Sequence, residues 1–164
     1  MKMLYLIRHA KSDWSNLFLR DFDRPLNERG EFSAPLMGDH LMKKGIKPDL
    51  ILSSPALRAK TTAVIIAEKL SSPLNAILYV PSLYESDVDT ILSLIRTTSE
   101  DIETLFIVGH NPELTECANL ITQAEIENIP TCGVVEMRLK ENSWDRIGIN
   151  SAELVSLDTP KKII

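Results

Sequence analysis

Short runs of apolar, strand-favouring residues alternate along this chain with longer stretches whose apolar positions recur every three or four residues. That alternation predicts an α/β fold, a three-layer α/β/α sandwich with a mostly parallel central sheet. Residues 3–7 are nearly all apolar, as a strand covered on both faces must be. Residues 49–53, 75–80 and 104–108 supply three more strands. Residues 134–139 and 146–149, joined by a turn-like 141–143, predict a closing C-terminal antiparallel hairpin.

The helical stretches carry recognisable punctuation. One follows the polar segment 24–30 and runs to about Lys44, stopped by Gly45 with Pro48 beyond, and Pro35 inside it predicts a kink or a late start. Ser54 as cap and Pro55 as first helical residue open a second, through about Leu70. Ser86 or Asp87 caps a third, to about Arg96, with Val88, Ile91, Leu92 and Ile95 on one face. Asn111 and Pro112 repeat the cap-then-proline device, and Leu114, Ala118 and Ile121 form the inner stripe that follows. No repeat, linker or low-complexity tract interrupts the pattern, so residues 1–164 are expected to form one domain.

Composition narrows the function classes. Hydrophobic residues at 44% and charged residues at 25% are those of a soluble globular protein. A net charge of -5 with no Lys/Arg cluster argues against nucleic acid or an anionic membrane as partner, though it permits a local basic pocket. The apolar run before Arg8 is too short for a signal peptide, and no run could span a bilayer, so a cytoplasmic location is expected. Cys117 and Cys132 lack metal-ligand spacing and read as reduced structural thiols, and His40, in a helical stretch, reads as structural.

Chemistry gathers at the carboxyl ends of the strands, where ligands sit in an open α/β sheet. The first strand ends in Arg8 and His9, the second runs through Ser53, Ser54 and Pro55 to Arg58, and the fourth ends in Gly109, His110 and Asn111. Two guanidinium groups and two imidazoles brought together describe an anion site, because an arginine fork pairs with two phosphate oxygens and stays charged at any working pH. A neutral histidine adds a lone pair that can attack phosphorus. Zinc would need a third ligand, and none stands at recognisable spacing from His9 and His110.

Four ordered segments together resemble the histidine phosphatase superfamily, which also contains phosphoglycerate mutases. Leu6-Ile-Arg-His-Ala-Lys-Ser12 is similar to its signature, 23–30 to its second motif, 53–62 to its third and 108–112 to its last. Arg-His-Ala-Lys-Ser, Gly-His-Asn-Pro, the compact length and the tail 152–162 look most like the SixA-type branch, whose members dephosphorylate phosphohistidine. The resemblance implies a phosphoglycerate mutase-like fold, no cofactor and no metal, with His9 as nucleophile. Arg8, Arg58 and His110 would bind the phosphoryl oxygens, and the substrate would be a phosphorylated protein or a small phosphomonoester. Nothing in the sequence fixes the oligomeric state.

Other assignments stay open. Ser12 and Asn16 either touch the same phosphate or serve as ordinary loop polar groups. Glu85 sits where many relatives keep the acid that protonates the leaving oxygen, or it is a solvated residue before a helix; Asp13 and Asp23 are weaker acid candidates, Asp23 being suited to anchor its loop. Two alternative functions use the same residues: a phosphoglycerate mutase-like phosphotransferase, which needs segments that close over its substrate, and a non-catalytic phosphate-binding module.

Overall fold

The computed structural model describes residues 1–163. Six strands, β1 (Met3–Arg8), β2 (Leu50–Ser53), β3 (Ile77–Tyr79), β4 (Thr104–Gly109), β5 (Val134–Leu139) and β6 (Ala152–Asp158), form one sheet in the order β3-β2-β4-β1-β5-β6. The first four in that order run parallel, and β5 is antiparallel to both β1 and β6. Helices α1 (Glu28–Lys43), α2 (Leu57–Lys69), α3 (Val88–Arg96) and α4 (Glu113–Thr122) complete it, with a short α5 (Pro160–Ile163) at the end.

Two cores follow from the strand pleat, which sends alternate side chains to opposite faces. Leu4, Leu6, Leu105 and Ile107 point to one face and pack with Ile91, Ile95, Leu114 and Ile121 of α3 and α4. Tyr5, Ile7, Phe106 and Val108 point to the other and meet Met37, Leu41, Ala63 and Ile66 of α1 and α2. The central strands are therefore apolar throughout, and the sheet is covered on both sides.

Some boundaries differ from the sequence expectation. Helix α1 starts at Glu28, inside the polar segment, because the Asn27 side chain accepts the Gly30 N–H at 2.9 Å, and it runs unbroken through Pro35 instead of starting late. Gly30 has a steric reason: a Cβ there would lie 2.2 Å from the Lys11 carbonyl oxygen. The last strand is Ala152–Asp158 and not 146–149; Ile147, inside the expected strand, is instead buried in the core beside Trp144, whose indole N–H donates to the Ile102 carbonyl at 2.7 Å.

His40 reaches across to Asp158 of β6 at 3.0 Å. Both cysteines are free and buried, and burial pushes their thiols up to about 12. Among the described residues no helix is long and apolar enough to cross a membrane.

Candidate active site

Strand register brings the chemistry together. Arg8 of β1 is paired with Gly109 of β4, so His9 and His110 leave the sheet side by side, and the His9 N–H donates to the Gly109 carbonyl at 3.0 Å. Ser53 of β2 is paired with Val108 on the other side of β4, and the Ser54 N–H donates to the Val108 carbonyl at 2.9 Å. Three neighbouring strands thus end at one level, and their next residues share one crevice.

Helix α2 begins at Leu57, two residues later than Ser54 and Pro55 suggested, with Ala56 as its cap. The Ser54 hydroxyl accepts the Ala56 N–H at 3.2 Å and lies 2.8 Å from His110 Nε2. The later start places Arg58 in the first turn, buried and aimed at both histidines: its Nε is 3.4 Å from His9 Nε2 and its Nη2 is 3.5 Å from His110 Nδ1. An arginine only donates, so both of those ring nitrogens present lone pairs to it.

The tautomer of His9 follows from its other contact. Its Nδ1 lies 2.7 Å from the Ala10 carbonyl oxygen, which can only accept, so Nδ1 carries the proton and Nε2 keeps its lone pair. Thr62 holds this arrangement from behind, donating to the Arg58 carbonyl at 2.7 Å and accepting the Ala10 N–H at 3.0 Å. Burial pulls His9 down to about 4, and the neighbouring arginines act in the same direction. Burial likewise takes His110 to about 3, helped by His9 and Arg58.

These depressed values have a consequence for pH. Above 6.5 both rings are neutral in the folded and the unfolded chain. As pH falls, the unfolded chain takes up protons first, so stability is lost through the window from 6.5 down to about 4 for His9 and about 3 for His110. The gap for His9 alone corresponds to roughly 3 kcal/mol. Urea unfolding at pH 7, 5 and 4 is expected to show the midpoint falling across this window, and His9→Gln should flatten the fall; an unchanged midpoint between pH 7 and 4 would contradict the neutral pair.

An open cavity of about 420 Å³ lies over this cluster, and Arg58, His110 and Glu85 are among its lining residues. Glu85 is exposed on a turn with φ of 55°, a left-handed conformation that projects it from the chain between β3 and α3. Arg8 does not line the cavity; it donates to the Ile129 carbonyl at 2.9 Å, and its buried Nε has no partner among the described residues. Ser12 is buried in a β-bridge to Leu26, and the exposed Asn16 accepts the Phe18 N–H at 3.0 Å; neither lines the cavity. Asp13 accepts the Ser15 N–H and Asp23 pairs with Arg20 at 2.8 Å, both local loop contacts.

Two acids at the cavity were not singled out by sequence. Asp21 accepts from Arg58 Nη2 at 3.0 Å and from the Tyr84 hydroxyl at 2.7 Å, and although partial burial opposes its charge, these bonds hold its carboxyl below the usual range. Glu113, in the first turn of α4, is buried, and burial raises its carboxyl above the ordinary value. Its place directly after Gly-His-Asn-Pro was the available signal. Asp21 lies two residues before Asp23 in a loop whose path no local pattern discloses. Among the described residues no three His, Cys, Asp or Glu side chains are placed to hold a metal ion.

Comparison with known proteins adds an independent line. The family model of the histidine phosphatase superfamily (branch 1) matches residues 4–106. An uncharacterized chloroplastic protein of Arabidopsis thaliana is 32% identical over 154 residues, covering 88% of this chain and 69% of that protein. A crystal structure assigned as the phosphohistidine phosphatase SixA of Agrobacterium tumefaciens superposes with a TM-score of 0.84 at 28% identity, over 97% of this chain and 98% of that one. A protein histidine phosphatase SixA complexed with tungstate gives the same TM-score of 0.84 at 19% identity, over 99% of both chains, which shows the shared fold.

Proposed function

Because the chain belongs to the histidine phosphatase superfamily, we propose that this phosphatase removes a phosphoryl group from phosphohistidine on a protein, through a covalent phospho-His9 intermediate. The observation that carries the reading is the pinned imidazole: Nδ1–H is held by the Ala10 carbonyl, and the free Nε2 lies beside the Arg58 guanidinium. In the first step His9 Nε2 forms a bond to phosphorus as the bond to the leaving nitrogen or oxygen breaks. Water then attacks the phospho-His9, phosphate departs, and the Nε2 lone pair is restored.

Arg58 binds the non-bridging oxygens through its Nε and Nη2, and the Arg8 guanidinium adds the positive field that both histidines feel. A dianion between the histidines also opposes the burial and the positive field that keep His110 neutral, so His110 gains a proton and becomes a further donor. Asp21 shares Arg58 with the incoming phosphate and orients its fork. Imidazole, with a reference pKa of about 6.5, leaves readily, whereas an alkoxide needs a proton. Glu85, which lines the cavity, supplies that proton for esters and is dispensable for phosphohistidine.

The loop at residues 13–24 favours a protein substrate. It is anchored at both ends, Arg24 lying 4.0 Å from the Trp14 ring and Phe22 edge-on to Tyr84 at 5.1 Å. Between those anchors Leu17 is 84% exposed and Phe18 is 100% exposed, on the same loop as Asp21, which lines the cavity. Large exposed apolar side chains on a loop that also contributes to the site suit the surface of a macromolecule.

The test is a panel of a phosphohistidine protein, para-nitrophenyl phosphate and an alkyl phosphate, each with the parent protein, Glu85→Gln and a Leu17→Ser/Phe18→Ser double variant. Glu85→Gln is expected to lose about 10²-fold or more on the alkyl ester and to spare phosphohistidine. The double variant should raise KM for the phosphoprotein alone. Alkyl ester turnover far above that on phosphohistidine would replace the substrate assignment.

A further inference from the structure

A second cavity, of about 460 Å³, lies on the α1 side of the His9 segment and shares no lining residue with the active-site cavity. Its charged lining residues are Lys11, Arg29 and Lys161, and no acidic side chain joins them. None of these cations forms an ion pair with another described residue, although acids outnumber bases in the chain by 23 to 18. Hydroxyls lie among them: Ser33 one turn after Arg29 on α1, Thr131 before β5 and Thr159 before α5. The remaining walls are Pro130 and Pro160, rigid apolar surfaces.

We infer that this cavity is a binding site for a small organic phosphate, a nucleoside phosphate by chemical class. Ligand pockets of about 300–1,000 Å³ are mostly apolar with a few convergent polar groups, and here every charged group has one sign. Three unpaired cations match a group with at least two negative charges, and the proline walls and lysine stems match a flat apolar body. Inorganic phosphate alone would leave the apolar walls unused. The floor is set by tight backbone packing, since the close approach of Gly30 to the Lys11 carbonyl fixes α1 against the catalytic segment. The Ile129–Cys132 loop is held equally firmly, its Cys132 N–H donating to the carbonyls of Arg8 and His9 at 3.1 and 3.0 Å. The site is therefore preformed.

Amide chemical shifts of the full chain, titrated separately with ADP, pyrophosphate and inorganic phosphate, test this. ADP is expected to move the Lys11, Arg29, Thr131 and Lys161 amides in a saturable way, at least tenfold tighter than inorganic phosphate, with pyrophosphate between them. The exposed pair Arg29→Ala/Lys161→Ala should weaken ADP at least tenfold at these amides, while turnover of para-nitrophenyl phosphate without added ligand stays within twofold. Equal weak responses to all three anions, shifts confined to the surroundings of Arg58 and His110, or unchanged ADP binding in the double variant would each overturn the assignment.

Discussion

Replacing His9 with alanine is expected to lower turnover of every phosphorylated substrate by more than about 10³-fold and to abolish phosphoryl labelling of the protein. The expectation rests on atoms. His9 Nε2 is the nitrogen left free once the Ala10 carbonyl takes the Nδ1 proton, and its depressed pKa, about 4, keeps that lone pair available at any ordinary working pH. Among the described residues the other candidates are less suited: His110 turns its Nδ1 lone pair to Arg58 Nη2 with Nε2 engaged by Ser54, and both cysteines are buried with thiols held in the protonated form. Rapid quenching of the parent protein with labelled substrate should trap a phosphoenzyme stable to alkali and labile to acid. His9→Ala with native circular dichroism and undiminished turnover would end the covalent mechanism.

Arg58→Ala should cost about 10²–10³ in kcat, and Arg58→Lys should remain at least about tenfold below the parent. One guanidinium reaches His9, His110 and Asp21 together, so its loss removes a phosphate donor, a field that keeps both imidazoles neutral and the partner of the Asp21 carboxylate. Lysine restores the charge as a single point and cannot span these groups at once. The two variants separate charge from geometry. Imidazole carbon shifts should also show the His9 midpoint moving up in Arg58→Ala, since Arg58 contributes to its depression. Equal, small losses in both variants would mean that the arginine supports the fold more than the reaction.

Much of the architecture was legible because it depends on local rules. Asp87 does cap α3, its side chain accepting the Thr90 N–H at 2.8 Å, and the stripe of Ile91, Leu92 and Ile95 is the buried face. Expectations failed where a local pattern had two uses. Ile147 fitted a strand as well as a core plug, and Ser54 fitted a helix cap as well as a partner for His110. Tertiary packing settled both: burying the Ile147 side chain outweighs one strand bond, and the Ser54 hydroxyl meets the Ala56 N–H and the buried His110 together.

The order of residues alone determined which side chains stand at strand ends, because strand length and turn chemistry are encoded within a few positions: Arg8 and His9 after one apolar run, Arg58 in a first helical turn, His110 after another. Only the assembled sheet decided that β4 inserts between β1 and β2, which sets His9, His110 and Ser54 side by side. It alone supplied the Ala10 carbonyl that fixes which His9 nitrogen keeps its lone pair and the Asp21 carboxylate that holds Arg58. The physical reason is that hydrogen bonds and electric fields act through space, between groups tens of residues apart in the chain, and a backbone carbonyl is the same at every position until the fold aims it.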